Sequence, residues 1–198
     1  MDCGISGRPP PRIVVGGAEL SVGPGTLSRM TDDAPSSHAG AGTTEVLLRD
    51  VDDADLEVFY EQQLEEEAVR RARFPARDRD RFLTHWRTKV LGNPTGHVQT
   101  VTVDGEVAGN ILAWWQEDRR FVGYWFGQRF WGRGVGTAAL RQFLRREEVR
   151  PLYADLFAGN IASVRLLERC GFRLVSTDRD GDLEFLLLRL DEDAADGG

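Results

Sequence analysis

Trp131-Gly132-Arg133-Gly134-Val135-Gly136-Thr137 is the stretch on which the fold of this chain turns. Its glycines alternate with larger residues between a strand-like run at 121–126 and a helical run. The helical run carries Val135, Ala139, Leu140, Phe143 and Leu144 on one face. A glycine turn entering a helix presents successive main-chain N–H groups, and the positive end of the helix dipole adds to them. That arrangement suits a phosphate or diphosphate, each charge-assisted bond contributing about 1.5–3 kcal/mol. Arg133 is either a further phosphate contact or a solvated side chain. Two other readings compete. The glycines can serve only close packing of strand and helix. Alternatively, Gly134-Val135-Gly136-Thr137-Ala138-Ala139 fits G-x-G-x-x-A, with Asp155 where a ribose-binding acid would fall, as in an NAD(P)-dependent oxidoreductase. That fingerprint opens a parallel sheet, whereas three antiparallel-type strands precede it here. A P-loop is excluded, because no Gly-Lys-Ser/Thr follows.

Working outward, residues 97–103 alternate as a strand and Asp104-Gly105 is a hairpin signal. Residues 106–115 form the next strand, and the run 121–126 follows after Glu117-Asp118. Further upstream, Val46-Leu47-Leu48 reads as a strand. Asp52 or Asp53 caps a helix through Leu56, Phe59, Tyr60 and Leu64, with Glu65-Glu66-Glu67 on its polar side. A second helix starts near Asp78, carries Phe82, His85, Trp86 and Val90, and stops at Gly92-Asn93-Pro94. Downstream come a strand at 151–157, a helix from Asn160 to Gly171, and a hairpin of 173–177 with 183–190. The order β-α-α-β-β-β-α-β-α-β-β predicts an α/β (α+β) domain over residues 43–190. It has a central, mostly antiparallel mixed sheet of about seven strands, flanking helices and one βαβ crossover.

Residues 1–42, rich in Gly, Pro, Ser and Ala, show no helical or strand period and predict a disordered tail; Met30 is a candidate true start. Residues 191–198 predict an acidic C-terminal tail.

The 198 residues suffice for one domain with a real core. A net charge of −7 argues against a nucleic-acid partner and mildly favours a cationic one. No apolar run approaches the roughly 18–20 residues of a membrane span, and no signal peptide is visible, which predicts a cytoplasmic protein without a membrane partner. Cys3, Cys170 and three scattered histidines supply no metal-ligand spacing, so no metal cofactor is expected.

The glycine turn resembles the acetyl-CoA motif Q/R-x-x-G-x-G/A of the GNAT N-acetyltransferases. Trp131 stands at the leading position, with Gly134 and Gly136 at the small ones. Trp there departs from the general consensus. It is similar to the branch of ribosomal-protein N-terminal acetyltransferases, as are Gly123-Tyr124-Trp125-Phe126 and Phe130-Trp131-Gly132-Arg133-Gly134. A second segment, from Ala154 through Leu156, Asn160, Ser163 and Leu166 to Cys170-Gly171-Phe172, resembles the following strand and helix of the same superfamily. Together the two cover about residues 44–190.

The resemblance implies acetyl-CoA as cosubstrate, bound by Phe126, Trp131, Gly132, Arg133, Gly134, Val135, Gly136, Thr137, Asn160 and Ser163. The pantetheine arm would lie between two parted strands. The Phe126 backbone N–H would stabilise the oxyanion, and an amine, either a peptide N-terminus or a small molecule, would attack directly. Asn160 is equally an N-cap. The position where many relatives carry a tyrosine acid is Leu167, leaving Glu117, Asp118, Asp155 or a water as the base. That gap keeps a non-catalytic acyl-CoA sensor open as an alternative. The acceptor pocket is expected between the two upstream helices and the last hairpin; Glu61, Glu65 and Glu66 read first as a solvated helix face and second as cation-attracting candidates. Trp114, Trp115 and Trp125 are expected in the core on alternating faces, with a place for one of them in the wall of the acceptor cleft as the alternative. Monomer and homodimer remain equally open.

Overall fold

The computed structural model describes residues 44–192. The N-terminal stretch with Met30, and most of the C-terminal acidic run, lie outside the described residues. One seven-stranded sheet organises the rest, in the order β1-β2-β3-β4-β5-β7-β6. Its strands are β1 (Val46–Arg49), β2 (His97–Val103), β3 (Glu106–Gln116), β4 (Arg119–Phe126), β5 (Leu152–Phe157), β6 (Arg173–Asp180) and β7 (Leu183–Leu190). Every neighbouring pair is antiparallel except β4 with β5.

The hairpin between β2 and β3 turns on Asp104 and Gly105, both at positive φ (50° and 84°). A two-residue turn needs those values to match the twist of its strands. The β4–β5 crossover carries α4 (Val135–Leu144), whose Val135, Ala139, Leu140 and Phe143 are buried. Next comes α5 (Ile161–Arg169), begun by Asn160, whose side chain accepts from the Ser163 N–H. These two helices cover one face of the sheet. Their core includes Ile111, Val122, Tyr124, Phe126, Leu156, Leu166 and Phe172. A second core lies on the other face, where α1 (Asp55–Gln63) and α3 (Arg79–His85, continued by a π-helical turn Trp86–Val90) pack Leu56, Phe59, Phe82, Leu83 and Trp86.

Three expectations need correction. The polar run after Leu64 does not extend the first helix. The chain breaks at Glu65 (φ −60°, ψ 113°) and starts a separate α2 (Glu66–Ala72). Neither Asp52 nor Asp53 stands at the N-cap of α1, which is Ala54. Asp52 accepts from the Ala54 N–H at 3.0 Å, while Asp53 pairs with Arg87 at 2.8 Å. Trp115 is 44% exposed rather than core. It sits on the face covered by α4 and α5, beneath the Arg120 guanidinium 5.7 Å from its ring centroid.

Candidate functional site: a cleft where two parallel strands part

β4 and β5 pair at only two positions, Arg120 with Leu152 and Phe121 with Tyr153. Beyond them β4 stays bonded to β3 and β5 to β7, so each holds its own course and a wedge opens between them. The five remaining residues of β4 leave about 16 Å of strand edge facing the wedge. Gly127 donates its N–H to Ala108 O on β3 at 3.0 Å. Because successive N–H groups of a strand point to opposite edges, that bond turns the Phe126 N–H toward the wedge.

A cavity of about 880 Å³ fills the wedge mouth, lined among others by Phe126, Trp131, Gly132, Gly134, Val135, Gly136, Thr137, Phe157 and Asn160. Gly132 and Gly134 adopt φ of 70° and 77°, the left-handed region that glycine reaches without a Cβ penalty. Gly136 is small for another reason: a Cβ there would meet Leu166 Cδ1 at 2.5 Å and Phe126 Cε2 at 3.3 Å. The helical ladder of α4 opens with the Ala138 N–H on Gly134 O at 3.0 Å. The N–H groups of Val135, Gly136 and Thr137 therefore precede it, as the first donors of any helix do, and all three residues line the cavity.

Trp131 donates its indole N–H to Phe126 O at 2.9 Å, tying the glycine turn to the end of β4. Trp125 donates to Gln62 O at 3.0 Å, tying the same strand to α1. Glu65 accepts the Gln128 N–H at 2.7 Å, and burial, opposed by that bond and by Arg129, pushes its carboxyl above the ordinary range.

Six arginines line the cavity, Arg70, Arg71 and Arg73 around α2 and Arg141, Arg165 and Arg169 on α4 and α5. Among the described residues no carboxylate lines it. A chain of net charge −7 thus concentrates positive charge in one place. Sequence reasoning missed all six. The spacing Arg165–Arg169 on one face of α5 was a usable signal, while α2 itself was not recognised.

The structure brings Phe126, Trp131, Gly132, Gly134, Val135, Gly136, Thr137 and Asn160 to the cavity. Arg133 points to solvent and is not among its walls. Ser163 is fully buried, held beside the Tyr124 hydroxyl, and is not a cavity wall. Burial raises that phenol above its ordinary pKa, so it stays protonated. Leu167 is fully buried core. Asp155 lies on β5 two positions past its last pair with β4, on the face of Phe121 and Trp125. Glu117 is the hairpin residue between β3 and β4, at φ 55°. Nine residues of nearly straight strand separate it from Phe126, about 25–30 Å, so it stands away from the wedge. Asp118 shares that turn. Among the described residues no group of three or more His, Cys, Asp or Glu gathers to hold a metal ion. No helix among them is long and apolar enough to cross a membrane.

The profile of the acetyltransferase (GNAT) domain family matches residues 45–173. No curated protein sequence matches the chain. Among solved structures the chain is similar to aminoglycoside acetyltransferase AAC(6')-Ib in complex with coenzyme A and kanamycin, at 20% identity and TM-score 0.64, covering 76% of this chain and 96% of that one. It is also similar to RimL, the ribosomal L7/L12 α-N-protein acetyltransferase in complex with coenzyme A, at 19% identity and TM-score 0.63, covering 78% and 98%. A third likeness is an uncharacterized protein from Bacillus halodurans, at 16% identity and TM-score 0.62, covering 77% and 86%. At these identities the likenesses establish the fold.

Proposed function

The chain belongs to the GNAT acetyltransferase family and is an acyl-CoA-dependent N-acetyltransferase; from that premise we propose that it moves acetyl from acetyl-CoA to a primary amine by direct attack. The observation that carries this is the wedge. Its two walls part where the glycine turn, the N-terminus of α4 and the Phe126 N–H all face one basic cavity. The diphosphate of coenzyme A takes the N–H groups of residues 132–137. The pantetheine arm runs along the free edge of β4 past Asn160, and the thioester carbonyl meets the Phe126 N–H. An oxyanion forming there is stabilised by a donor already in position.

No protein nucleophile is needed. Ser163 is fully buried, so a covalent acyl-serine route has no support. Asp155, beside the wedge on the α1 face, is our candidate for receiving the proton of the attacking amine, directly or through water; Glu117 is too remote for that part. The acceptor enters from the α1 and α3 face, across Phe121, Trp125 and Tyr153. We favour a peptide α-amine. Deprotonating a lysine-type amine at pH 7 costs about 4–5 kcal/mol, against about 1–2 for an α-amine, so an α-amine asks less of whatever base receives its proton. A small-molecule amine is the second reading, favoured by the likeness to an enzyme solved with kanamycin.

The test is acetyl-CoA consumption across a panel of peptides, aminoglycosides and polyamines, with mass spectrometry of the product. Peptides with free α-amines should gain one acetyl group. Acetylation confined to lysine side chains or aminoglycosides would reject the peptide reading, and binding of NAD(P) in place of acetyl-CoA would reject acetyl transfer.

A further inference from the structure

The sheet is covered unevenly on its two faces. Under α4 and α5, Ala113, Val122, Leu152, Ala154 and Leu188 are between 0% and 1% exposed. Their neighbours on the same strands, Trp114, Phe121, Tyr153 and Leu187, turn to the other face and are only half-buried. Three of these rings form a row across β3, β4 and β5. Trp114 stacks on Phe121 with centroids 5.9 Å apart, and Phe121 meets Tyr153 at 5.8 Å. The row is an apolar shelf that solvent reaches, just below the point where β4 and β5 part.

Arg119 closes the far end of the shelf, its guanidinium 5.3 Å from the centroid of Tyr153. It is exposed and forms no ion pair with Glu117 or Asp118 of its own turn, nor with any other described carboxylate. Stacking on a ring leaves the N–H fork of a guanidinium free to meet a carboxylate. Arg189, opposite Tyr153 on β7, is by contrast held by Asp191 at 2.9 Å. Spacing then decides what can use the shelf. Phe121 stands five residues and Arg119 seven residues before Phe126, about 16 and 23 Å along β4. An amine seated at the Phe126 N–H reaches neither unless it heads an extended chain, which covers about 3.3–3.6 Å per residue.

We propose that this shelf reads the acceptor well downstream of its amine. The acceptor is the extended N-terminal segment of a polypeptide. An apolar side chain near its fifth residue lies on Phe121 and Tyr153, and an acidic one near its seventh meets Arg119. This rests on the peptide reading given above and adds its sequence preference. A polycationic small amine carries the same charge as Arg119 and gains nothing from it.

The test is steady-state acetylation of synthetic peptides by the full chain, read as release of free coenzyme A, with thermal melts of each variant. The peptides are a nonapeptide with leucine fifth and glutamate seventh, the same peptide with lysine seventh, and its first three residues alone. For wild type, kcat/KM should be at least about tenfold higher for the glutamate nonapeptide than for the tripeptide, and at least about fivefold higher than for the lysine nonapeptide. Phe121→Ala should lower the nonapeptide-to-tripeptide ratio at least about fivefold. Arg119→Glu should reverse the preference for glutamate over lysine, and being at an exposed position it decides the matter if Phe121→Ala melts early. Equal kcat/KM for long and short peptides overturns the shelf and leaves the acetyltransferase reading standing. So does an unchanged glutamate preference in Arg119→Glu. A length effect that appears only in a chain ending at Glu192 gives the shelf to residues 193–198 and also overturns it. Acetyl-CoA consumption with aminoglycosides or polyamines but with none of the peptides removes the peptide reading, and the shelf with it.

Discussion

Gly134 and Gly136 are two residues apart and small for unrelated reasons, which makes them separable by experiment. Gly134 has open space around its Cα but φ of 77°. Gly134→Ala therefore meets no clash and costs about 1 kcal/mol through its backbone, visible as a fall of about 2–4 °C in Tm. Gly136 has no left-handed φ, but its Cα faces Leu166 and Phe126. Gly136→Val thrusts two methyls toward both and should weaken coenzyme A binding about tenfold by calorimetry. The same Gly-x-Gly letters thus carry one conformational demand and one steric demand. Trp131 offers a third residue-scale test. Trp131→Phe keeps a ring for Arg71 but deletes the 2.9 Å bond to Phe126 O. The loss of about 1 kcal/mol should appear as a roughly fivefold fall in kcat, with the KM for acetyl-CoA changed less than about threefold.

Among the elements, α1 is tied to the sheet by one carboxylate. Asp55 accepts from Arg49 at 2.6 and 2.7 Å, from the Thr100 hydroxyl at 2.7 Å and from the Asp52 N–H at 2.9 Å. Burial pushes its pKa up, but these donors, Arg49 first, hold it net below the ordinary carboxylate value. The unfolded chain then binds more protons in acid. The stabilisation is complete above the ordinary carboxylate range and is lost as pH falls through the folded value. Glu147, likewise lowered by Arg120 and His97 against its burial, acts in the same window. Tm should be flat above about pH 5 and fall below about pH 4. Asp55→Asn should cost about 2 kcal/mol at pH 7 and flatten the acid limb. An unchanged limb would remove Asp55 from the account.

The elements also show what the sequence could and could not disclose. β5 was legible because Leu152, Ala154 and Leu156 bury one face in alternation, and Asp104-Gly105 marks its hairpin unaided. Asn160 was legible because a cap is a local bond. The break before α2 was not legible. No Gly or Pro marks Leu64-Glu65-Glu66-Glu67, and the stop at Glu65 coincides with a hydrogen bond to Gln128, 63 residues away. Without that break, Arg70, Arg71 and Arg73 read as the solvated side of a long helix. Trp115 was misplaced for a related reason: alternation assigns a face, but not whether a helix reaches far enough to cover it.

At the scale of the whole molecule, a chain of net charge −7 carries a cleft lined by six arginines. On the proposed reading, coenzyme A is drawn to the cavity lined by six arginines, and the acceptor is left to the aromatic side of the sheet across Phe121, Trp125 and Tyr153. Binding of coenzyme A should therefore weaken steeply with added salt, while pantetheine binding should not. At the centre of the proposed function, the main-chain donors of residues 132–137 and of Phe126 would hold the cosubstrate across the parted strands. Backbone amide NMR of the ¹⁵N-labelled full chain, titrated with coenzyme A, tests it most directly. The amides of Phe126 and of Gly132 through Thr137 should shift together and saturate with one Kd. Saturable binding that moves other amides and leaves these in place would contradict it.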